Sequence, residues 1–173
     1  SRKIGDVYEQ LLYGDTPLGW DIAGRKEVIK AITRKDFIEY MQSLYSANNI
    51  TVVVAGGINT SDTEKLVEKY FSDMKSFDTL KFKSIVEKQV KLDLYIKHKT
   101  TEQVHIGIGF RTAPIDSPEK HSLEVLAAIL GGGMSSRLFS EVREKRGLAY
   151  YVRTHSEHYQ DAGNIVSTAG LDP

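Results

Sequence analysis

Residues 131–152, with the sequence GGGMSSRLFSEVREKRGLAYYV, constrain the fold of this chain more than any other stretch. Three successive glycines end an apolar run, because glycine is unfavourable inside a helix. Either Ser135 or Ser136 can cap a new helix, and Gly147 is placed to end it. A strand is predicted to begin at Leu148. The stretch therefore predicts a short charged helix followed at once by a strand.

The rest of the chain is predicted to hold two segments joined by a linker. Over residues 75–90 the apolar periodicity lapses while lysine, serine and aspartate accumulate, which is typical of a linker. The segment before it, 1–74, has helices around one buried strand at Ile50–Ala55, and one strand is too few for a sheet. The segment after it, 91–173, groups strands apart from helices. This order predicts an α+β fold with helices on one face of a sheet.

Several local signals indicate where the elements begin. Thr33 with Asp36, and Ser61 with Glu64, each have the spacing of a helix capping box. The pair Ser117-Pro118 is typical of a helix start, with proline in the first turn. A further helix is predicted over 135–146, and strands are predicted near Leu92–Lys97, Val104–Phe110, 148–159 and 164–169.

Composition argues against several classes of function. The 23 Lys and Arg residues balance the 23 Asp and Glu residues, so no basic field would attract nucleic acid or an anionic membrane surface. No apolar run approaches the roughly 20 residues that a membrane span needs. The chain has no cysteine, which excludes disulfides and thiolate metal sites and is compatible with a reducing cytoplasm, the location that we expect.

Histidines and glycines are weak candidates for binding sites. The best histidine pair, His155 and His158, lies in a predicted strand, where side chains three apart point to opposite faces and are poorly placed to share a metal. A phosphate loop needs Lys followed by Ser or Thr after its last glycine, whereas Met134 stands there. We favour a structural role for both features, with the glycines as a flexible connection between helices.

Arg143 and Tyr150 are open to two interpretations. On α-helical geometry Arg143 falls about 40° from Phe139, at the rim of an apolar face, where arginine commonly covers the face with its methylene stem. Tyr150 shares a strand face with Leu148 and Val152, as a core aromatic would. Periodicity alone does not separate these structural roles from a role in an active site.

Two long segments, taken in order, resemble a known family. The segment YGDTPLGWDIAGRKEVIKAITRKDFIEYMQSLYSANNITVVVAGGI resembles the region after the zinc-binding part of the pitrilysin/insulinase family of zinc peptidases, which includes the mitochondrial processing peptidases. The segment HIGIGFRTAPIDSPEKHSLEVLAAILGGGMSSRLFSEVREKRGLAY resembles the opening of that family's second, homologous domain. The resemblance runs from about residue 9 to the end of the chain, and LF-EVREKRGLAY is its most specific part.

The resemblance implies a zinc metalloendopeptidase, a hydrolase that processes or degrades peptides. It implies two homologous α/β sandwich domains, of which residues 1–74 end the first and 91–173 begin the second. In the family, an arginine and a tyrosine of the second domain orient the substrate and stabilise the oxyanion. Those positions fall on Arg143 and Tyr150, and a guanidinium and a phenol are suitable donors to such an oxygen.

The sequence departs from the family pattern in one respect, because it contains no H-x-x-E-H zinc motif. The resemblance places residue 1 beyond that motif and beyond the glutamate downstream of it. We therefore expect the chain to be an internal fragment of a longer protein. Zn2+ is the cofactor that the resemblance implies, with its ligands outside this chain, and the chain alone is expected to be inactive.

Two other functions remain open. The chain could be a non-catalytic or half-site subunit of the same fold in a heteromeric peptidase, or an unrelated module that binds peptides at an exposed sheet edge. The partner expected from the resemblance is a peptide or an unfolded polypeptide. Because the first segment lacks strand partners, a homodimer or pairing with the missing N-terminal part is also expected.

Overall fold

A computed structural model of the chain describes residues 2–85, 89 and 91–173. Its residues fall into two compact units. The sheet unit combines Ser1–Ile22 with Ser84–Pro173, and the helical unit is Ala23–Lys83.

The compact units divide the chain differently from the sequence-based prediction. The prediction grouped residues 1–22 with the first segment, whereas in the structure they pack with the strands that come after the predicted linker. The reason is the first helix, which buries its apolar side chains on the sheet. Part of the predicted linker, 86–88 and 90, lies outside the described residues. The domain boundaries 1–74, 75–90 and 91–173 stay a prediction.

The helical unit contains helices α2, α3 and α4 and a single 3-10 turn. Their bounds are Lys26–Ala31, Arg34–Leu44, Thr60–Phe71 and, for the turn, Ala47–Asn49. The predicted cap of α3 is confirmed: Asp36 Oδ2 accepts hydrogen bonds from the backbone N and the hydroxyl of Thr33, at 2.7 and 2.6 Å. The capping box predicted at Ser61 is wrong. Asn59 caps α4 instead: its Oδ1 accepts a hydrogen bond from the backbone N of Asp62 at 3.2 Å.

The predicted strand at Ile50–Ala55 is not formed. Its central residue, Val53, is 83% exposed, and no described segment of the helical unit pairs with it. A strand needs a neighbour to satisfy its backbone N–H and C=O groups, which explains why strong β-propensity alone does not produce one here. The strand predicted at Leu92–Lys97, in the sheet unit, is absent for the same reason.

The sheet unit contains a three-stranded antiparallel sheet. Its strands are β1 (Val104–Thr112), β2 (Ala149–His158) and β3 (Gly163–Leu171), in the order β1-β3-β2. A tight turn joins β2 to β3, where the backbone N of Tyr159 donates to the carbonyl of Ala162 at 2.8 Å. The strands predicted near Val104–Phe110, 148–159 and 164–169 are confirmed, and the mixed α and β content agrees with the predicted fold class.

Helices α1 (Arg2–Tyr13) and α5 (Lys120–Gly131) lie on opposite faces of this sheet. Gly109 of β1 faces Tyr8 of α1 and pairs with Val166, while Thr154 of β2 faces α5 and pairs with Ser167. Consecutive residues of a strand point to opposite faces, so the two helices are on opposite sides. The prediction that helices cover a single face is therefore wrong, because the apolar stripe of α1 covers the second one.

The α1 face carries the core of the sheet unit. Its buried members come from the helix, the turn and the central strand: Tyr8, Leu12, Tyr13, Ala162 and Val166. Two polar contacts fix the end of the helix. Arg111 donates to the carbonyl of Leu12, and the side chain of Asn164, which is 1% exposed, donates to the hydroxyl of Tyr13 at 3.2 Å.

Two glutamate side chains lie within hydrogen-bond distance of one tyrosine hydroxyl where α1 contacts the sheet. The hydroxyl oxygen of Tyr159 lies 2.6 Å from Oε2 of Glu157 and 3.0 Å from Oε1 of Glu9. Burial raises the pKa of Glu9; the hydrogen bond from Tyr159 opposes the rise and the nearby charge of Glu157 adds to it. The neutral form of Glu9 therefore suits the folded state better than the ionised form does.

Replacing this carboxyl, Glu9→Gln, should raise stability at pH 7 and change it little near pH 4. A carboxyl whose pKa is higher in the folded state stabilises that state fully below its unfolded pKa, about 4.3, and loses the contribution as pH rises through the folded pKa. Urea unfolding at the two pH values measures the difference. The exposed Glu102→Gln is the matched control, and a Glu9→Gln protein less stable than it at pH 7 would contradict the argument.

Candidate functional site

The helix predicted over 135–146 is formed, but its main part is a π-helix at Phe139–Glu144. The backbone N of Lys145 donates to the carbonyl of Ser140, five residues earlier, at 2.9 Å. Ser136 directly precedes the first helical residue, and its carbonyl accepts from the backbone N of Ser140 at 3.0 Å, but its hydroxyl donates back to the carbonyl of Gly133 at 2.6 Å instead of capping the helix. Short π-helical segments are frequent at functional sites, since they displace the side chains that come after them.

Arg143 projects from this π-helix with its guanidinium carbon 4.8 Å from the ring centroid of Phe139. This contact agrees with its predicted place at the rim of an apolar face, and cation–π attraction holds the group over the ring. The residue is exposed, and no carboxylate in the described part of the chain lies within ion-pair distance of it.

Tyr150 is the extra residue of a β-bulge. Ala149 pairs with Leu171 and Tyr151 pairs with Gly170, so Tyr150 has no partner across the ladder. Its side chain is 55% exposed, whereas Val152 is 6% exposed. The interpretation of Tyr150 as a core aromatic is therefore wrong, because the bulge interrupts the alternation by which Tyr150 would share the buried environment of Val152.

A cavity of about 620 Å³ lies between the π-helix and β2. It is lined by residues from the end of α5 to the middle of β2, namely Gly131, Gly132, Gly133, Met134, Phe139, Arg143, Tyr151, Val152, Arg153, Thr154 and His155. Arg143 is therefore part of the wall, while Tyr150 is not and its neighbour Tyr151 is. Three lining side chains, Arg143, Arg153 and His155, carry or can carry positive charge, and no Asp or Glu is among them.

Sequence reasoning assigned no role to the cavity residues Tyr151 and Arg153, and it considered His155 only as a metal ligand. The hydroxyl of Tyr151 lies 3.0 Å from Nδ1 of His105, and Nε2 of His155 lies 3.7 Å from Oε1 of Glu157. The alternation of β2 could have placed the three on one face, since they are two residues apart. It could not have indicated that the cavity beside the π-helix extends to this face of the strand.

The histidine pair is arranged as the strand pattern predicts. His155 lies with Glu157 on one face, and His158 lies on the other. Nδ1 of His158 is 2.9 Å from the carbonyl oxygen of Ala113, and its Nε2 is 2.9 Å from the hydroxyl of Ser156. Within residues 2–85, 89 and 91–173, no three His, Asp or Glu side chains are grouped so that they could hold a metal ion.

Among the same residues, no helix is both long enough and apolar enough to cross a membrane.

A family profile described as "Peptidase M16 inactive domain" matches residues 31–173. An uncharacterized zinc protease of Bacillus subtilis, YmxG, is 32% identical over 167 residues, which are 96% of this chain and 40% of that protein. An uncharacterized zinc protease of Rickettsia felis is 34% identical over 161 residues, which are 91% of this chain and 38% of that protein. The chain thus spans about two fifths of the length of these relatives.

Solved structures share the fold. A protease from Helicobacter pylori superposes with a TM-score of 0.78 at 24% identity, over 96% of this chain and 41% of that one. A peptidase M16 inactive domain from Pseudomonas fluorescens superposes with a TM-score of 0.79 at 23% identity, over 97% of this chain and 41% of that one. The family resemblance and the fold class expected from the sequence are both confirmed.

Substitution of Gly131 by alanine should weaken the packing that closes one side of the cavity. A Cβ at this position would lie 2.3 Å from the backbone N of Thr154, so helix and strand would have to separate. Overpacking of this kind typically costs about 1–3 kcal/mol of unfolding free energy. Gly133→Ala is the control, because nothing lies within 4 Å of its added Cβ. Urea unfolding measures both, and equal stability of the two variants would refute the close approach.

Proposed function

The chain belongs to the Peptidase M16 inactive domain family, and from that premise we propose that it supplies substrate-orienting and oxyanion-stabilising side chains to a zinc-dependent endopeptidase. The proposed residues are Arg143 and Tyr150. The observation that carries the proposal is the position of Arg143, whose guanidinium lines a cavity without a carboxylate partner in the described part of the chain.

The chemistry of the two side chains fits this role. Hydrolysis of a peptide bond places negative charge on the carbonyl oxygen of the substrate, and fixed hydrogen-bond donors lower the barrier when they meet that oxygen. The guanidinium of Arg143 is permanently charged and offers several donors, while the phenol of Tyr150 offers one. Both side chains are exposed, and Tyr150 directly precedes the five strand residues, 151–155, that line the cavity.

The described residues do not fit a zinc site, since no three candidate ligands are grouped among them. Zinc, which is proposed from the names of the relatives, would therefore be held by residues outside this part of the chain. The proposed substrate is a peptide or an unfolded polypeptide that is processed or degraded. The cavity volume lies within the range that binding sites for small ligands have, roughly 300–1,000 Å³. The cytoplasm remains the proposed location.

A half-site subunit is the second candidate. It is favoured by the description of the matched family as an inactive domain. In that case the zinc-binding chain would be a separate polypeptide, and Arg143 and Tyr150 would act on substrate held between two subunits. The two candidates differ in where the zinc ligands reside, so reconstitution with a zinc-binding chain separates them.

The 173-residue chain by itself should bind no stoichiometric zinc and should not hydrolyse peptides. The reason is the lack of a metal-ligand group in the described residues together with the missing H-x-x-E-H motif. Metal analysis after dialysis, combined with a fluorogenic peptide assay, tests both statements. One tightly held zinc per chain with chelator-sensitive turnover would refute them.

In the complete peptidase, Tyr150→Phe and Arg143→Gln should each lower kcat/KM by about 10²–10³ without changing the zinc content. Loss of one oxyanion donor typically has this effect, because the donor acts mainly in the transition state. Steady-state kinetics and metal analysis measure the two quantities. Tyr150→Phe is the sharper test, since the ring remains and only the hydroxyl is removed.

Tyr70→Phe is the matched control, because this tyrosine lies in α4 and is 72% exposed. It should leave kcat/KM and stability unchanged. If Tyr150→Phe behaves like Tyr70→Phe, then Tyr150 is not a donor to the substrate. If activity appears only when a second, zinc-binding chain is added, and the Tyr150→Phe effect persists in that mixture, the half-site subunit is the correct form of the proposal.

A further inference from the structure

The side chains that line the cavity beside β2 carry net positive charge, whereas the chain as a whole is neutral. Lys and Arg balance Asp and Glu over the full sequence, 23 against 23. The cavity wall, by contrast, contains two arginines and one histidine, and neither aspartate nor glutamate. Two guanidinium groups that border one cavity raise the local concentration of anions, because both are charged at every physiological pH.

The second arginine, Arg153, is distinct from the residue proposed to meet the scissile carbonyl. It is exposed on β2, and in the described part of the chain it forms no ion pair with a carboxylate. His155 comes two residues later on the same face of the strand, with its ring held near Glu157. Arg153 and His155 therefore offer neighbouring donors along one face, apart from the π-helix that carries Arg143.

The shape of the site favours an extended ligand. Within the described sheet, β2 pairs only with β3 and so forms one edge. Consecutive residues from Tyr151 to His155 line the cavity, which means that both faces and the outer edge of the strand border it. An extended peptide can hydrogen-bond to such an edge while its side chains enter flanking pockets.

We propose that Arg153, with His155, binds a carboxylate of an extended peptide that lies along β2, and so makes this site selective for acidic peptides. The inference rests on the proposed function in one respect, namely that the ligand is a peptide. The carboxylate belongs either to an aspartate or glutamate side chain or to the C-terminus of the peptide. Both sources present the same planar pair of oxygens to a guanidinium.

Fluorescence anisotropy of the 173-residue chain with labelled short peptides tests the proposal without zinc or turnover. The reference peptide is neutral, acetylated and amidated. One derivative carries a central aspartate and an amidated end, a second carries only a free C-terminal carboxylate, and a third carries a central lysine. At low ionic strength at least one carboxylate peptide should bind about tenfold more tightly than the reference, which corresponds to about 1.4 kcal/mol. The derivative that gains affinity identifies the source of the carboxylate.

The matched variants are Arg153→Gln and Arg137→Gln, which remove the same charge from an exposed arginine inside and outside the cavity wall. Arg153→Gln should abolish the preference for the carboxylate peptide, Arg153→Lys should restore part of it, and Arg137→Gln should leave it intact. Circular dichroism confirms that each variant is folded. Added salt should also reduce the preference, because the contact is exposed to solvent.

Two results would overturn the proposal: a neutral peptide that binds as tightly as both carboxylate peptides, or equal effects of Arg153→Gln and Arg137→Gln. Neither result depends on catalysis. A complete peptidase in which Tyr150→Phe has normal turnover would refute the proposed function, while a carboxylate preference in the anisotropy experiment would stand. A catalytic effect of Tyr150 with no carboxylate preference would refute only the selectivity for acidic peptides.

Discussion

The site depends on how closely the end of α5 approaches β2. At Gly131 the helix backbone lies against Thr154, at a distance that leaves no space for a side chain. This contact fixes where the chain leaves the helix, and therefore where the next glycines and the π-helix lie relative to the strand. Arg143 reaches the cavity only because these elements begin from that point. If the end of α5 lay farther from β2, the π-helix and β2 would not border the same cavity.

Much of the sheet unit could be predicted from the sequence, because its elements are specified locally. Alternation in β1, the hairpin turn after β2, and the apolar run of α5 each determine their own structure from nearby residues. The valines near residue 53 predicted a strand that is not formed. A strand also needs a neighbouring strand to pair with, and β-propensity does not show whether such a neighbour exists. Asn59 was missed as a cap because two residues near this helix start, Asn59 and Ser61, are both good N-caps, and the capping-box spacing of Ser61 with Glu64 favoured the wrong one.

The candidate site was predictable only in part. The family pattern predicted Arg143 and Tyr150 as site residues, and in the structure Arg143 lines the cavity while Tyr150 lies at the adjoining bulge. The bulge and the π-helix each insert one residue into a regular repeat, so periods of two and 3.6 residues no longer give the orientation of the side chains beyond the insertion. Arg153 and His155 lie in plain alternation along the strand, but the strand pattern alone does not show which of its residues border a cavity, so His155 was considered only as a metal ligand and Arg153 not at all.

The bulge at Tyr150 also limits what can assemble on the edge of the sheet. An open edge strand is a template on which further strands can add, and a long regular edge favours continuous growth of a β-ladder between chains. Here regular pairing geometry holds from Tyr151 onward and is broken one residue earlier. A strand added along β2 would therefore meet a fixed end point at the bulge, which opposes polymerisation through this edge.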